Sequence, residues 1–384
     1  MNPLLPQEVI DQVIDHLHDD PTALSSCSLT CRAWTPSSQL HIFHSVTLEP
    51  TLVQPLSHLL QTSPHIARYI ISLKLSPATH HGAQGPYAYI SLNIGIPAIV
   101  PRLSNVRKLE LELLRSRFLE DTAFRALSEA FPHLRIIVAR RCQIVGLDDW
   151  FTNLICTHPD VIKLEMLDCA FGQIDHFRRI DISPLLGVTA FPNISSLTWD
   201  SPSWIDTPGI QSLLSHHTLS RLEMLDISVT NLVMISDLAN VISTAARSLK
   251  ALTLRFNHLV VKCATVQALE NVLQHCSALR VLSIDTVPHL FNSPHQRKWL
   301  EVILHALPAS RLEEFYFRFI TVGRLEYENR DWDAIFEILS LAKFDSLRKI
   351  QLAPRDRTDA PSEPEELRRK ASRLGERVKF LPYG

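Results

Sequence analysis

Along most of the chain, apolar residues recur in a six-residue figure, apolar-x-x-apolar-x-apolar. It opens at Phe43, Ile70, Val106, Leu134, Val161, Ile194, Leu222, Leu249, Leu279, Leu312 and Leu347. "LEMLDI", "LKALTL" and "LRVLSI" are examples, and the alternation in their second half is the period of a strand with one buried face. With 46% of residues apolar, one such match arises by chance at about one position in ten, so the spacing carries the information. Successive matches lie between 27 and 36 residues apart. Between most of them runs a second period, i, i+3, i+4, i+7, the stripe of an amphipathic helix. It is seen at Leu238, Val241, Ile242 and Ala245; at Val266, Leu269 and Leu273; at Trp299, Val302, Ile303 and Ala306; and at Trp332, Ile335, Phe336 and Leu339. The pattern predicts a short strand followed by a helix, repeated along the chain.

No unit of that size buries its apolar face without a neighbour, so the units must stack. The expected fold class is α/β: a solenoid over residues 43–353, with parallel strands on the concave side and helices on the convex side. Cys142, Cys169 and Asn257 each stand three residues beyond the last apolar position of their figure, where a thiol or amide can donate to the backbone of the turn leaving the strand. The repeat resembles the long, helix-containing leucine-rich repeats of F-box proteins, from which it departs in its uneven unit lengths and in Pro202 and Val287 at the Cys/Asn position. "SPATHHGAQGPYAY" predicts an exposed loop near residues 76–88. From residue 354, "APRDRTDAPSEPEE" reads as a polar linker. "ELRRKASRLGERVKF" follows as a short amphipathic cap, with Arg368, Arg369, Lys370 and Arg373 on a solvated basic face.

Residues 1–42 differ from the rest. Val9, Ile10, Val13, Ile14 and Leu17 form a wide apolar stripe on a short helix, and Asp20-Pro21 is an N-cap followed by proline, opening a second helix through Leu24, Cys27 and Leu29. A break is expected near Trp34-Thr35-Pro36. So few residues cannot cover such stripes by themselves, and either the repeats or another polypeptide must do so. "LPQEV" followed by "SLTCRAW" resembles the F-box over residues 4–44. The resemblance implies a chain that docks on a Skp-type adaptor held by a cullin scaffold with its RING subunit. By motif position Leu5, Pro6, Val9, Ile10, Leu24, Leu29 and Trp34 would bind the adaptor, with some of them belonging to the head's internal core. The repeats would then present a protein target to the ubiquitin ligase. The alternative reading is a leucine-rich-repeat scaffold acting outside any ligase.

Residues alternating with the core positions project from the strand face away from the helices, and a target would meet them there. Glu110, Glu112, Arg140, Glu165, Asp226, Arg255, Tyr316 and Arg318 are the candidates, among other projecting positions that include Lys108, Val138, Lys163, Asp200 and Asp285, with charges of both signs interspersed. A formal charge of -2 provides no global field for nucleic acid or an anionic membrane. The acidic start lacks the basic and apolar parts of a secretory signal. "AYISLNIGIPAIV", the longest apolar run, is interrupted by Asn93, Gly95 and Pro97 and is too short to span a bilayer. Seven scattered cysteines suit a reducing compartment, so a soluble intracellular protein is expected. No phosphate-binding glycine loop, G-x-S-x-G elbow or H-E-x-x-H is present. Cys27-x-x-x-Cys31 and His41-x-x-His44 do not complete a zinc ligand set, and the pairs His80-His81 and His216-His217 read as exposed. No catalytic residue, metal or cofactor is expected.

Overall fold

The computed structural model describes residues 6–77, 86–145, 154–155, 157–172, 193–200, 217–229, 233–256, 263–286, 299–308, 311–321, 332–356 and 369–380. The chain divides into two compact units, Met1–Pro192 and Asn193–Gly384, each of which is an open array of parallel strands and helices.

The first unit starts with three short helices: α1 (Gln7–Asp15), α2 (Pro21–Thr30) and α3 (Thr35–Ile42). Asp20 caps α2 as its spacing predicts, accepting the amides of Thr22 (3.0 Å) and Ala23 (2.9 Å). Polar contacts clamp α1 against the α3 region. Ser37 donates to Asp11, Gln7 donates to the Ala33 carbonyl at 3.1 Å, and His41 Nε2 lies 2.7 Å from Asp15 Oδ1.

Five parallel strands follow in register: β1 (Ser45–Leu48), β2 (Ser72–Leu75), β3 (Lys108–Glu112), β4 (Ile136–Arg140) and, after a short strand β5 (Gln143–Val145), β6 (Lys163–Leu167). Each opens two residues after the first apolar residue of its figure. That residue is buried in four of the five repeats, at Ile70, Val106, Leu134 and Val161. The residue before each strand donates to its counterpart one repeat earlier, as in Arg107 to Ile71, Arg135 to Arg107 and Ile162 to Arg135.

Leaving the sheet, Leu113, Arg141 and Asp168 occupy the same repeat position with φ of 55°, 52° and 52°. This left-handed backbone turns the chain sharply. The next residues, Leu114, Cys142 and Cys169, are buried. As expected, the two cysteines satisfy backbone. Cys142 Sγ donates to the Leu111 carbonyl (3.2 Å) and Cys169 Sγ to that of Ala139 (3.4 Å), one repeat back in each case. Beyond the turn, β5 pairs in parallel with β7 (Ala170–Gly172). Asn257, Pro202 and Val287 lie outside the described residues.

On the other side of this sheet lie α4 (Val53–Thr62), α5 (Pro86–Ile99) and α6 (Asp121–Glu129). The start of α5 corrects the expected loop, which was carried through residue 88: proline at a first helical position favours a helix rather than breaking one. The apolar run is this helix. Its interrupting Asn93 is buried and holds the loop after β3, donating to the Phe118 carbonyl (3.0 Å) and accepting the Glu120 amide (3.1 Å). Gly95 lets α4 and α5 approach closely, since a Cβ there would overlap the Val53 methyl groups.

The second unit repeats the plan with β8 (Ser196–Asp200), β9 (Met224–Val229), β10 (Ala251–Phe256), β11 (Val281–Thr286), β12 (Glu314–Thr321) and β13 (Lys349–Asp356), all parallel. Its helices are α7 (Val233–Ala245), α8 (Cys263–Leu273), α9 (Trp299–Ala306) and α10 (Trp332–Leu339). Their buried faces follow the predicted stripes, except that α9 buries Leu300 and Leu304 rather than Val302 and Ala306. Lys343 follows α10 and donates to the carbonyls of Leu304 (2.9 Å), His305 (2.9 Å) and Leu307 (3.3 Å), satisfying the end of α9 from the next repeat. The tail departs from expectation. β13 runs on to Asp356, past the expected start of the linker. The described part of the cap holds a 3-10 segment (Ser372–Arg377) and a further parallel strand, β14 (Val378–Phe380), on β13. The added strand pairs the backbone groups that β13 would otherwise leave open along its edge. In the basic cluster, Lys370 pairs with Asp333 at 2.9 Å.

Two stability predictions follow. Gly95→Ala gains about 1 kcal/mol of helix propensity but meets a stiff β-branched neighbour, at an overpacking cost of about 1–3 kcal/mol. Its urea midpoint should therefore fall, and a higher midpoint would show that α4 and α5 do not pack this closely. Lys343→Met keeps the aliphatic stem and removes three charge-assisted bonds, so about 1 kcal/mol of stability should be lost. An unchanged melting curve would refute that capping role.

Candidate functional site

Surfaces rather than pockets are the candidates here. Pro6, at the N-cap of α1, and Val9 and Val13 within it stay open, with Val9 40% and Val13 50% exposed; Ile14, about a quarter-turn on from Val13, is fully buried. Leu29, near the end of α2, is 86% exposed. Ile10 and Trp34 are half-buried. Leu24 is 1% exposed, which puts it among the motif residues that are buried rather than on the open surface. Its turn of α2 points inward, which the apolar character of Leu24 and Leu29 alone does not distinguish. Leu5 lies outside the described residues. Cys31 is exposed and Cys27 half-buried; like Cys142, Cys169 and Cys276, they form no disulfide among the described residues.

The open face of the first unit brings Glu110, Glu112, Arg140 and Glu165 together. Glu110 meets Lys108 at 3.1 Å, Arg140 at 3.5 Å and Lys74 at 3.9 Å. Glu112 meets Lys74 at 2.5 Å and also Arg141. Glu165 meets Lys163 at 2.7 Å and Arg140 at 3.8 Å. Hydrogen bonds from Lys74 and then Arg141 hold the Glu112 carboxyl below the usual carboxylate range, against partial desolvation. Val138, expected to project, is buried; it stands in register between Glu110 and Glu165. Sequence reasoning missed Lys74 and Arg141. The figure at Ile70 already signals Lys74, but Arg141 lies outside the strand, and only the left-handed turn brings it back to Glu112.

The second unit places Asp226 on β9, Arg255 on β10, and Tyr316 and Arg318 on β12. Arg255 bridges Asp200 (3.2 Å) and Asp226, and Arg318 meets Asp285 at 3.6 Å. Burial raises the Asp226 carboxyl above its ordinary pKa; Arg255 opposes the shift, and Asp200 and Asp285 add to it. Among the described residues, Asp226 Oδ1 and Ser228 Oγ are buried without a hydrogen-bond partner. Lys349 donates to the Tyr316 hydroxyl at 3.0 Å, and that hydroxyl donates to Glu314. Among the described residues no group of His, Cys, Asp and Glu could hold a metal ion, and no helix is long and apolar enough to cross a membrane.

No protein-family model matches the chain, and no curated protein does. Among solved structures, a leucine-rich-repeat protein of Leptospira interrogans is similar to it. The identity is 12%, over 96% of this chain and 98% of that one, with a TM-score of 0.33. The repeat architecture rests on the register of this chain's own strands: a parallel-strand, helix-backed solenoid of the leucine-rich-repeat type.

Proposed function

We propose that the chain is a non-enzymatic receptor whose helical head docks on a Skp-type adaptor of a cullin-RING ubiquitin ligase while its repeats hold a protein target. The observation that carries this reading is that apolar side chains of the head stay exposed: Pro6 before α1, Val9 and Val13 on it, and Leu29 on α2. They lie within the segment that runs from "LPQEV" to "CRAW". Exposed apolar side chains grouped on a small helical unit are stabilised by burial against a partner. Ile10 and Trp34 would flank that contact and Leu24 would support it from within. The open sheet faces offer mixed charges on rigid strands, a surface suited to holding another polypeptide. In such a receptor the gain in ubiquitin transfer is one of proximity: it raises the effective concentration of target lysines and makes or breaks no bond itself.

Capture of purified Skp-type adaptor on the immobilised chain tests this. Val9→Glu with Val13→Glu should lower adaptor recovery at least tenfold while leaving the thermal melt nearly unchanged, because both positions are exposed. Undiminished recovery by this double variant would remove the docking role from α1. Probing the captured material for cullin separates a ligase subunit from a scaffold that binds the adaptor alone: adaptor without cullin would favour the scaffold.

A further inference from the structure

The open face of the first unit carries its charges in two layers. Glu110, Glu112 and Glu165 are 14–17% exposed, whereas the cations around them, Lys74, Lys108, Lys163, Arg140 and Arg141, are 31–57% exposed. Every one of these glutamates is met by at least two cations. Five cations over three carboxylates leave an outward surface of ammonium and guanidinium groups. Residues flanking the strands do not reverse the balance, since exposed Arg107 and Arg135 precede β3 and β4, while half-buried Glu49 follows β1 and exposed Asp168 follows β6. Lys108 and Lys163 stand in one row on either side of Ile136, about 10 Å apart across two strand spacings. Half-buried Ile136 is thus an apolar floor between two lysines, with Arg140 four residues further along the same strand.

We infer that this face binds an acidic, extended segment of a protein, in which carboxylates alternate with apolar residues and one apolar side chain rests on Ile136. The inference deepens the receptor reading and rests on it, by giving the target's binding segment a chemistry. Carboxylates pair with cations spread singly along strands, whereas a phosphate group calls for several donors converging on one point. Nucleic acid suits the face less well. No described strand position on it offers an aromatic ring for a base to stack on, and the underlying glutamates repel a continuous phosphate backbone.

The test is fluorescence anisotropy of the full chain with a labelled peptide of alternating glutamate and valine. Three probes are compared with it: a lysine–valine peptide, a neutral peptide bearing one phosphoserine, and single-stranded DNA. The glutamate peptide should bind best, and its affinity should fall as salt is added. Lys108→Glu with Lys163→Glu should weaken it at least tenfold. The same charge change at Lys250 and Arg280, on the second unit, should leave it unaltered. If the first double variant melts early, Lys108→Gln with Lys163→Gln provides the same comparison. No binding of the glutamate peptide, equal weakening by the control pair, or tighter binding of any other probe would overturn the inference. Adaptor capture is read separately, so a chain that recovers the adaptor but ignores the peptide loses this inference and keeps the receptor reading.

Discussion

A strand of one repeat has backbone amides and carbonyls with no partner inside that repeat. Every other feature of this chain depends on their being paired with the repeat before and the repeat after. The pairing is parallel and in register, and the amide just before each strand reaches the carbonyl of its counterpart one unit earlier, as in Lys250 to Glu223 and Arg280 to Lys250. Because unpaired buried backbone costs as much as a lost hydrogen bond, a repeat that slipped by one residue would both lose these bonds and turn its apolar residues outward. The side chains reinforce the ladder across the same boundaries. The thiols of Cys142 and Cys169 bond one repeat back, and Lys343 closes the end of the preceding helix.

Stacking in register has an electrical consequence. Residues on the open face come to stand about 5 Å from their neighbours on the next strand, so a charge on one strand is necessarily read by the next. In the first unit this places carboxylates beneath a rim of lysine and arginine; in the second it draws Arg255 between Asp200 and Asp226. Such pairs are partly solvated and contribute modestly to stability. Their larger effect is to hold long side chains in defined positions, which lowers the entropic cost of meeting a partner. The helical head works differently. It keeps Leu24 and Ile14 for its own small core and leaves Val9, Val13 and Leu29 to solvent, so its open surface is apolar where that of the repeats is charged.

The period of apolar residues was enough to locate the eleven strands that follow its figures and the helices between Leu238 and Leu339, because burial on one face of a strand or helix is a local constraint written at intervals of two or three to four residues. The Asp20 cap was legible for the same reason: its two amides lie within three residues. Readings that needed a distant neighbour were less secure. Leu24 and Leu29 look alike in the sequence, yet one is core and the other nearly free. Val138 sits at an outward position of the alternation, in register between Glu110 and Glu165, and is nevertheless buried. The tail adds a strand because β13 presents an open edge, a property of the sheet and not of residues 378–380.

Taken alone, then, the sequence determined the kind of repeat, its strand starts and its alternation of buried and open positions, since each of these is settled within a few residues along the chain. Tertiary structure decided which open positions are reachable, which charges share a partner and where the sheet ends. Those depend on side chains some thirty residues apart meeting across strands, and only the stacking of one repeat on the next sets that distance.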